Sequence, residues 1–177
     1  MNYSVAIPIF NEEKNLGNLY SSILRSHLIR DKFCRNIILI DDGSTDSSRI
    51  YIKKNNFKSK KLIMLFHKKN LGYGAALKTA IKFNKKRVKY IVFIDSDLTN
   101  PIIDIKKISP FMKKNVDFIQ GNRYNKHSLN IAYNRKIIGI FGNYISRFFM
   151  NMMITDYTSG FRAVKLSLYS KIKLNEN

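Results

Sequence analysis

Two aspartates separated by one serine, Asp95-Ser96-Asp97, close the apolar run Ile91-Val92-Phe93-Ile94, and a second pair, Asp41-Asp42, closes Ile37-Ile38-Leu39-Ile40. Residues two apart in an extended segment point to one side, so the carboxylates of Asp95 and Asp97 can face a single ligand. Like charges that close repel unless one is protonated or a cation lies between them. Hard oxygen donors of this kind suit Mg²⁺ or Mn²⁺ bridging to a substrate diphosphate. The competing use is a capping pair for the next helix, but Asn100, next to Pro101, is the better placed local cap. Asp41-Asp42-Gly43-Ser44-Thr45-Asp46 carries turn chemistry, and Ser44, Thr45 or Asp46 can cap the helix expected after it. One aspartate is enough for a turn. A pair at a strand end suggests that one accepts hydrogen bonds from a base or ribose, as acids at such places do in nucleotide folds.

Gly72-Tyr73-Gly74-Ala75-Ala76-Leu77 resembles the opening of a dinucleotide fingerprint, with Asp95 at about the spacing that motif wants. It fails twice: Leu77 stands where the third glycine or alanine belongs, and five residues separate Phe66 from Gly72 where the turn should be immediate. Gly72 and Gly74 are enough to let backbone approach a sugar or nucleotide. Arg123, Arg135 and the arginine of Thr158-Ser159-Gly160-Phe161-Arg162 offer planar forks matched to phosphate, against the commoner role of a surface cation.

Short β-rich runs alternate with helical patterns and must position these groups. Strands are expected over 3–10, 36–40, 61–66, 90–94 and 117–120, with helices from about residue 12, from about residue 46, and over 75–83 and 102–112. Such alternation predicts an α/β fold with a mostly parallel central sheet and helices on both faces, its central strands covered on both sides. Ligands in such sheets bind beyond the carboxyl ends of the strands, where these unusual residues fall. After Arg123, the residues Ile137, Ile138, Phe141, Tyr144, Ile145, Phe148, Phe149, Met152 and Met153 recur at helical spacing. Core packing is the plain use of that stripe; an interfacial helix at a lipid surface is the sharper one.

The chain has 177 residues, one domain by length, and a formal net charge of +20. That field attracts nucleic acid, anionic lipid or a phosphorylated substrate, and the spread of lysine pairs over element ends favours a solvated face over a nucleic-acid groove. Cys34 is the single cysteine, so no internal disulfide or cysteine-based zinc site forms, which fits a reducing compartment. His27, His67 and His127 lack metal-ligand spacing. No signal-peptide pattern and no charge-free apolar run of about 18 residues is present, so the chain as given is expected to be cytosolic or peripheral.

The stretches VAIPIFNEEKNL, IILIDDGSTDSS, NLGYGAALKTA, IVFIDSDLTNP, GNRY and DYTSGFRA together resemble the family 2 inverting glycosyltransferases of the type-A (GT-A) fold. They are most similar to the branch of dolichyl-phosphate mannosyltransferase and the bacterial polyprenyl-phosphate sugar transferases. The resemblance implies that Pro8, Phe10, Glu12 and one or both of Asp41 and Asp42 hold the nucleotide, with Gly72, Gly74 and Ser96 beside the donor. It implies that Asp95 and Asp97 hold Mg²⁺ or Mn²⁺ and the diphosphate, and that Arg123 contacts the donor diphosphate or the acceptor phosphate. Arg135 would bind the lipid phosphate, with Arg162 near the same pocket.

The implied reaction moves a hexose from a nucleotide sugar of the GDP-mannose or UDP-glucose type to a polyprenyl or dolichyl phosphate, with inversion. Implied partners are the donor, the lipid phosphate, an anionic membrane and a membrane subunit or second copy, with no specific nucleic acid. A phosphate acceptor, with a second pKa of about 6, is already anionic and needs no base. The alternatives are transfer to a saccharide hydroxyl, for which Asp156 is the candidate base, and an inactive relative that binds anionic lipid or nucleic acid. Thr99 stands where that branch often has glutamine, and Gly139 where it often has serine. The expectation is one glycosyltransferase domain over 1–177, without the acceptor-side segment usual at the C-terminal end of family members.

Overall fold

The computed structural model describes residues 1–55, 59–122, 156 and 159–169. The stripe from Ile137 to Met153, and with it Arg123, Arg135, Gly139 and Thr158, lies outside the described residues. Six strands form one sheet: β1 (Tyr3–Ile9), β2 (Cys34–Asp41), β3 (Leu62–Phe66), β4 (Tyr90–Phe93), β5 (Phe118–Gln120) and β6 (Arg162–Lys165), in the order β3-β2-β1-β4-β6-β5. The first four run parallel, through the pairings β1 with β2, β1 with β4, and β2 with β3. β6 runs antiparallel to both β4 and β5.

All seven residues of β1 are buried, because helices cover both faces of the sheet. On one face Val5, Ile7, Ile9, Ile37, Leu39 and Val92 meet Leu16, Leu19 and Ile23 of helix α1 (Leu16–Arg25) and Ile105, Ile108 and Met112 of α4 (Ile105–Lys113). On the other, Ala6, Ile38, Ile40, Ile91 and Phe93 meet Ala76 and Ala80 of α3 (Tyr73–Asn84). Each branched side chain buried this way contributes about 1.5–3 kcal/mol. Small residues on the inner face of α3 let it lie close to the sheet, which brings its first turn to the strand ends.

Several element starts differ from expectation. α1 begins at Leu16 rather than near 12, because the Glu12 carbonyl accepts the N–H groups of both Asn15 and Leu16 and holds a preceding turn. α2 (Ser48–Lys54) begins two residues late because Asp46 accepts the Ser48 N–H at 2.9 Å, a side-chain turn that delays the helix. Asn100 does not cap: it is buried, and Pro101 stands before the 3-10 helix Ile102–Asp104. β6, continued by the short helix α5 (Leu166–Tyr169), enters between β4 and β5 where no strand was expected.

Candidate active site

The carboxyl ends of β1, β2 and β4 and the first turn of α3 enclose a cleft of about 320 Å³. β1 supplies Pro8 and the connection after it Phe10 and Glu12; the connection after β2 supplies Asp42; the β3–α3 connection supplies Asn70 and Gly72, and the first residue of α3 is Tyr73; the connection after β4 supplies Asp95, Ser96 and Asp97. Phe10 is 42% exposed and lines the cleft, a flat surface available to a base. Past the end of β1 the chain turns at Asn11, in the left-handed region with φ 55°. Its Oδ1 accepts the Thr45 N–H at 2.9 Å, while Ser48 Oγ accepts the Glu12 N–H at 2.9 Å and Asp46 Oδ2 the Glu13 N–H at 3.1 Å. The loops after β1 and β2 therefore hold each other, and Phe10 and Glu12 are carried on that lattice.

The adjacent aspartates at the end of β2 do different work. Asp41 is buried, receives the Arg49 guanidinium and the Ser44 N–H (3.0 Å), and is not on the cleft wall among the described residues. Asp42 lines the cleft, and its Oδ1 takes both the His67 ring at 2.6 Å and the Leu71 N–H at 3.1 Å. Gly43 turns the chain at φ 72° against the backbone of Lys69 and Asn70, which leaves no room for a β-carbon. Gly72 also has positive φ and lines the cleft; Gly74 does not.

Asp95 and Asp97 reach one cleft, though not by strand alternation. β4 ends at Phe93, and a turn containing Leu98 at φ 59° carries the pair. Just past the strand, the Ile94 N–H still donates to the Ala6 carbonyl at 3.1 Å. Asp97 is exposed and accepts the Thr99 N–H at 2.9 Å through Oδ1. Asp95 receives the Tyr73 hydroxyl at 3.2 Å, and its carboxylate fills the space where a side chain at Gly160 would begin. Burial, then the Asp95 charge, push the Tyr73 hydroxyl up to about 12, with Arg162 acting in the opposite sense. Tyr73 thus stays a donor through the neutral range. The Arg162 guanidinium lies 5.8 Å over the Phe93 ring, on the strand that pairs with β4.

The donor chemistry fits Mg²⁺ or Mn²⁺. Among the described residues no three His, Cys, Asp or Glu side chains converge. Two carboxylates at a cleft are what an ion needs when it keeps waters and takes its other oxygens from a diphosphate. Asn70 and Tyr73 were given no role by sequence, although they lie in the Asn70-Leu71-Gly72-Tyr73-Gly74 stretch after β3, and His67 was considered only for metal-ligand spacing, which it lacks. Asp156 is fully buried and lies outside the cleft wall formed by the described residues; its carbonyl accepts the Gln120 amide at 3.1 Å.

The fold is that of the GT-A glycosyltransferases. Glucosyl-3-phosphoglycerate synthase from Mycobacterium tuberculosis, solved with Mn²⁺, uridine diphosphate and glucosyl-3-phosphoglycerate, superposes with a TM-score of 0.68 at 19% identity, over 94% of this chain and 57% of that one. The glycosyl transferase family 2 profile matches residues 4–176, and the chain belongs to that family. It is 27% identical to the dodecaprenyl-phosphate galacturonate synthase of Rhizobium johnstonii, over 97% of this chain and 50% of that protein. It is also 27% identical to the undecaprenyl-phosphate 4-deoxy-4-formamido-L-arabinose transferase of Proteus mirabilis, over 70% of this chain and 37% of that protein. The chain thus spans half or less of the length of these two curated relatives. Among the described residues no helix is long and apolar enough to cross a membrane.

Proposed function

We propose that the chain transfers a hexose from a nucleotide sugar to a polyprenyl phosphate with inversion, at the inner face of an anionic membrane. The observation that carries this is the convergence in one cleft of an aromatic and acidic end, Phe10 and Asp42, with a dicarboxylate end, Asp95 and Asp97. The first suits a nucleoside and the second its diphosphate. Both curated relatives named above carry a polyprenyl phosphate in their names, which supports the acceptor class.

Asp95 and Asp97 would hold Mg²⁺ or Mn²⁺, and the chemistry such an ion supplies is neutralisation of the departing nucleoside diphosphate. Tyr73 keeps Asp95 oriented by its hydrogen bond, and Gly160 leaves the carboxylate its place. The acceptor oxygen attacks the anomeric carbon from the face opposite the leaving group. An anionic phosphate needs no general base, and the burial of Asp156 agrees with a reaction that uses none. Arg162, beside Tyr73, is the described cation suited to the acceptor phosphate, and Arg123 and Arg135 are proposed to join it. The net charge of +20 favours approach to an anionic surface and to phosphate-bearing substrates, with a membrane subunit or second copy as the proposed assembly partner.

The deciding experiment is calorimetric titration of UDP- and GDP-sugars with and without Mn²⁺, then transfer to a short polyprenyl phosphate. Metal-dependent binding and a lipid-linked product are expected. A protein that binds no donor overturns the proposal.

A further inference from the structure

His67, the first residue after β3, joins three elements behind the cleft. Its Nδ1 meets Asp42 Oδ1 at 2.6 Å, and its Nε2 meets Thr79 Oγ1 of α3 at 2.8 Å. The histidine side chain is 9% exposed and that of Asp42 4%. The His67 backbone is fixed as well: its N–H donates to the Asp41 carbonyl at 2.9 Å, and its carbonyl accepts from Arg49, the partner of Asp41. With the Leu71 N–H at 3.1 Å, Asp42 Oδ1 carries two hydrogen bonds from the protein. Among the described residues Oδ2 accepts no further hydrogen bond, and Asp42 lines the cleft, which leaves this oxygen for a ligand there.

We infer that His67 is a positioning residue for nucleobase recognition: it fixes the carboxylate of Asp42 so that its second oxygen meets an N–H on the base. This rests on the cleft being a nucleotide-sugar site. The Asp42 carboxylate only accepts, so Nδ1–H donates to it, and the Thr79 hydroxyl, able to donate or accept, holds the ring from the Nε2 side. A carboxylate held this way only accepts. It favours the imide N–H of uracil or the lactam N–H of guanine, and disfavours cytosine and adenine, whose ring nitrogens at that edge are acceptors. The buried acceptor, if misdirected, would lose a charge-assisted bond to the base without any change at the diphosphate end.

The test compares binding of UDP, GDP and pyrophosphate, each with Mn²⁺, to wild type, His67→Ala, His67→Asn and Thr79→Val. Pyrophosphate reports the Asp95 and Asp97 end alone. His67→Ala is expected to weaken the preferred nucleoside diphosphate about tenfold, equivalent to about 1.4 kcal/mol, and to leave pyrophosphate unchanged. His67→Asn, whose amide N–H replaces Nδ1–H, should recover most of that loss. In an Asp42→Asn background, His67→Ala should have no further effect on the nucleotide. A folded His67→Ala that binds nucleotide like wild type overturns the assignment, as does equal loss of nucleotide and pyrophosphate. Should His67→Ala fail to fold, Thr79→Val carries the same contrast: weaker nucleotide and unchanged pyrophosphate support the assignment, and unchanged nucleotide overturns it. A wild type that binds pyrophosphate but neither nucleotide overturns the assignment at the nucleobase end alone. A wild type that binds none of the three overturns the donor proposal and this one with it.

Discussion

Gly160 and Asp95 occupy one space: a β-carbon at position 160 would fall less than 3.0 Å from both oxygens of the Asp95 carboxylate. The contact joins the start of β6 to the end of β4, so the strand that was hardest to foresee shapes the residue that was easiest to notice.

Gly160→Ala must therefore displace Asp95. A shift of about 1 Å at a positioning group can cost about 100-fold in rate, and a loss of that order in kcat/KM is expected, together with weaker Mn²⁺-dependent donor binding. Steady-state kinetics and calorimetry on the folded variant would measure it; wild-type activity would show that the carboxylate position is not critical.

Asp97 is exposed, and its hydrogen bond to the Thr99 N–H needs only one acceptor oxygen, which asparagine supplies. Asp97→Asn should leave stability within about 0.5 kcal/mol of wild type. Transfer should fall about 100- to 1000-fold, and EDTA should silence wild type until Mg²⁺ or Mn²⁺ is restored. Thermal melts beside activity assays separate the two effects.

Asp41 and Asp42, neighbours in sequence, should fail in opposite ways. Asp41→Ala strips Arg49 and the Ser44 N–H of their acceptor and is expected to cost about 1.5–3 kcal/mol in urea unfolding. Asp42→Asn should alter nucleotide affinity far more than stability. Equal behaviour of the two variants in both measurements would contradict the division of roles.

Burial pushes the Cys34 thiol up to about 12 from an ordinary 9.0, with Lys61 opposing and Asp31 assisting. A proton held more tightly in the folded state gives stability that is whole below the unfolded pKa and is lost as pH rises toward the folded one. The urea midpoint should therefore fall between pH 9 and 12 beyond what exposed groups cause, and less steeply in Cys34→Ala. A native thiol that reacts rapidly with a disulfide reagent at about pH 8 would contradict the buried placement.

The strands at 3–9, 34–41 and 90–93 were legible because a sheet covered on both faces leaves continuous apolar runs. The location of the candidate cleft came with them, since it sits where those runs end. The separate fates of Asp41 and Asp42 were not legible, because they depend on Arg49 and His67, which only the folded chain brings there. The common orientation of Asp95 and Asp97 was anticipated for the wrong reason. It comes from a turn through Leu98 at positive φ, not from strand pleating. β6 escaped notice because four residues, Arg-Ala-Val-Lys, carry too little pattern and take their place from two partners distant in sequence.

That insertion also sets an order of assembly. Among the described residues, the facing edges of β4 and β5 have no mate until residues 162–165 arrive, so this interior slot fills after both flanking strands are made. A chain released before that point would display two open strand edges, a template for self-association, and would lack the glycine that accommodates Asp95. One short segment thus both fills the slot between β4 and β5 and brings the glycine that lies against Asp95.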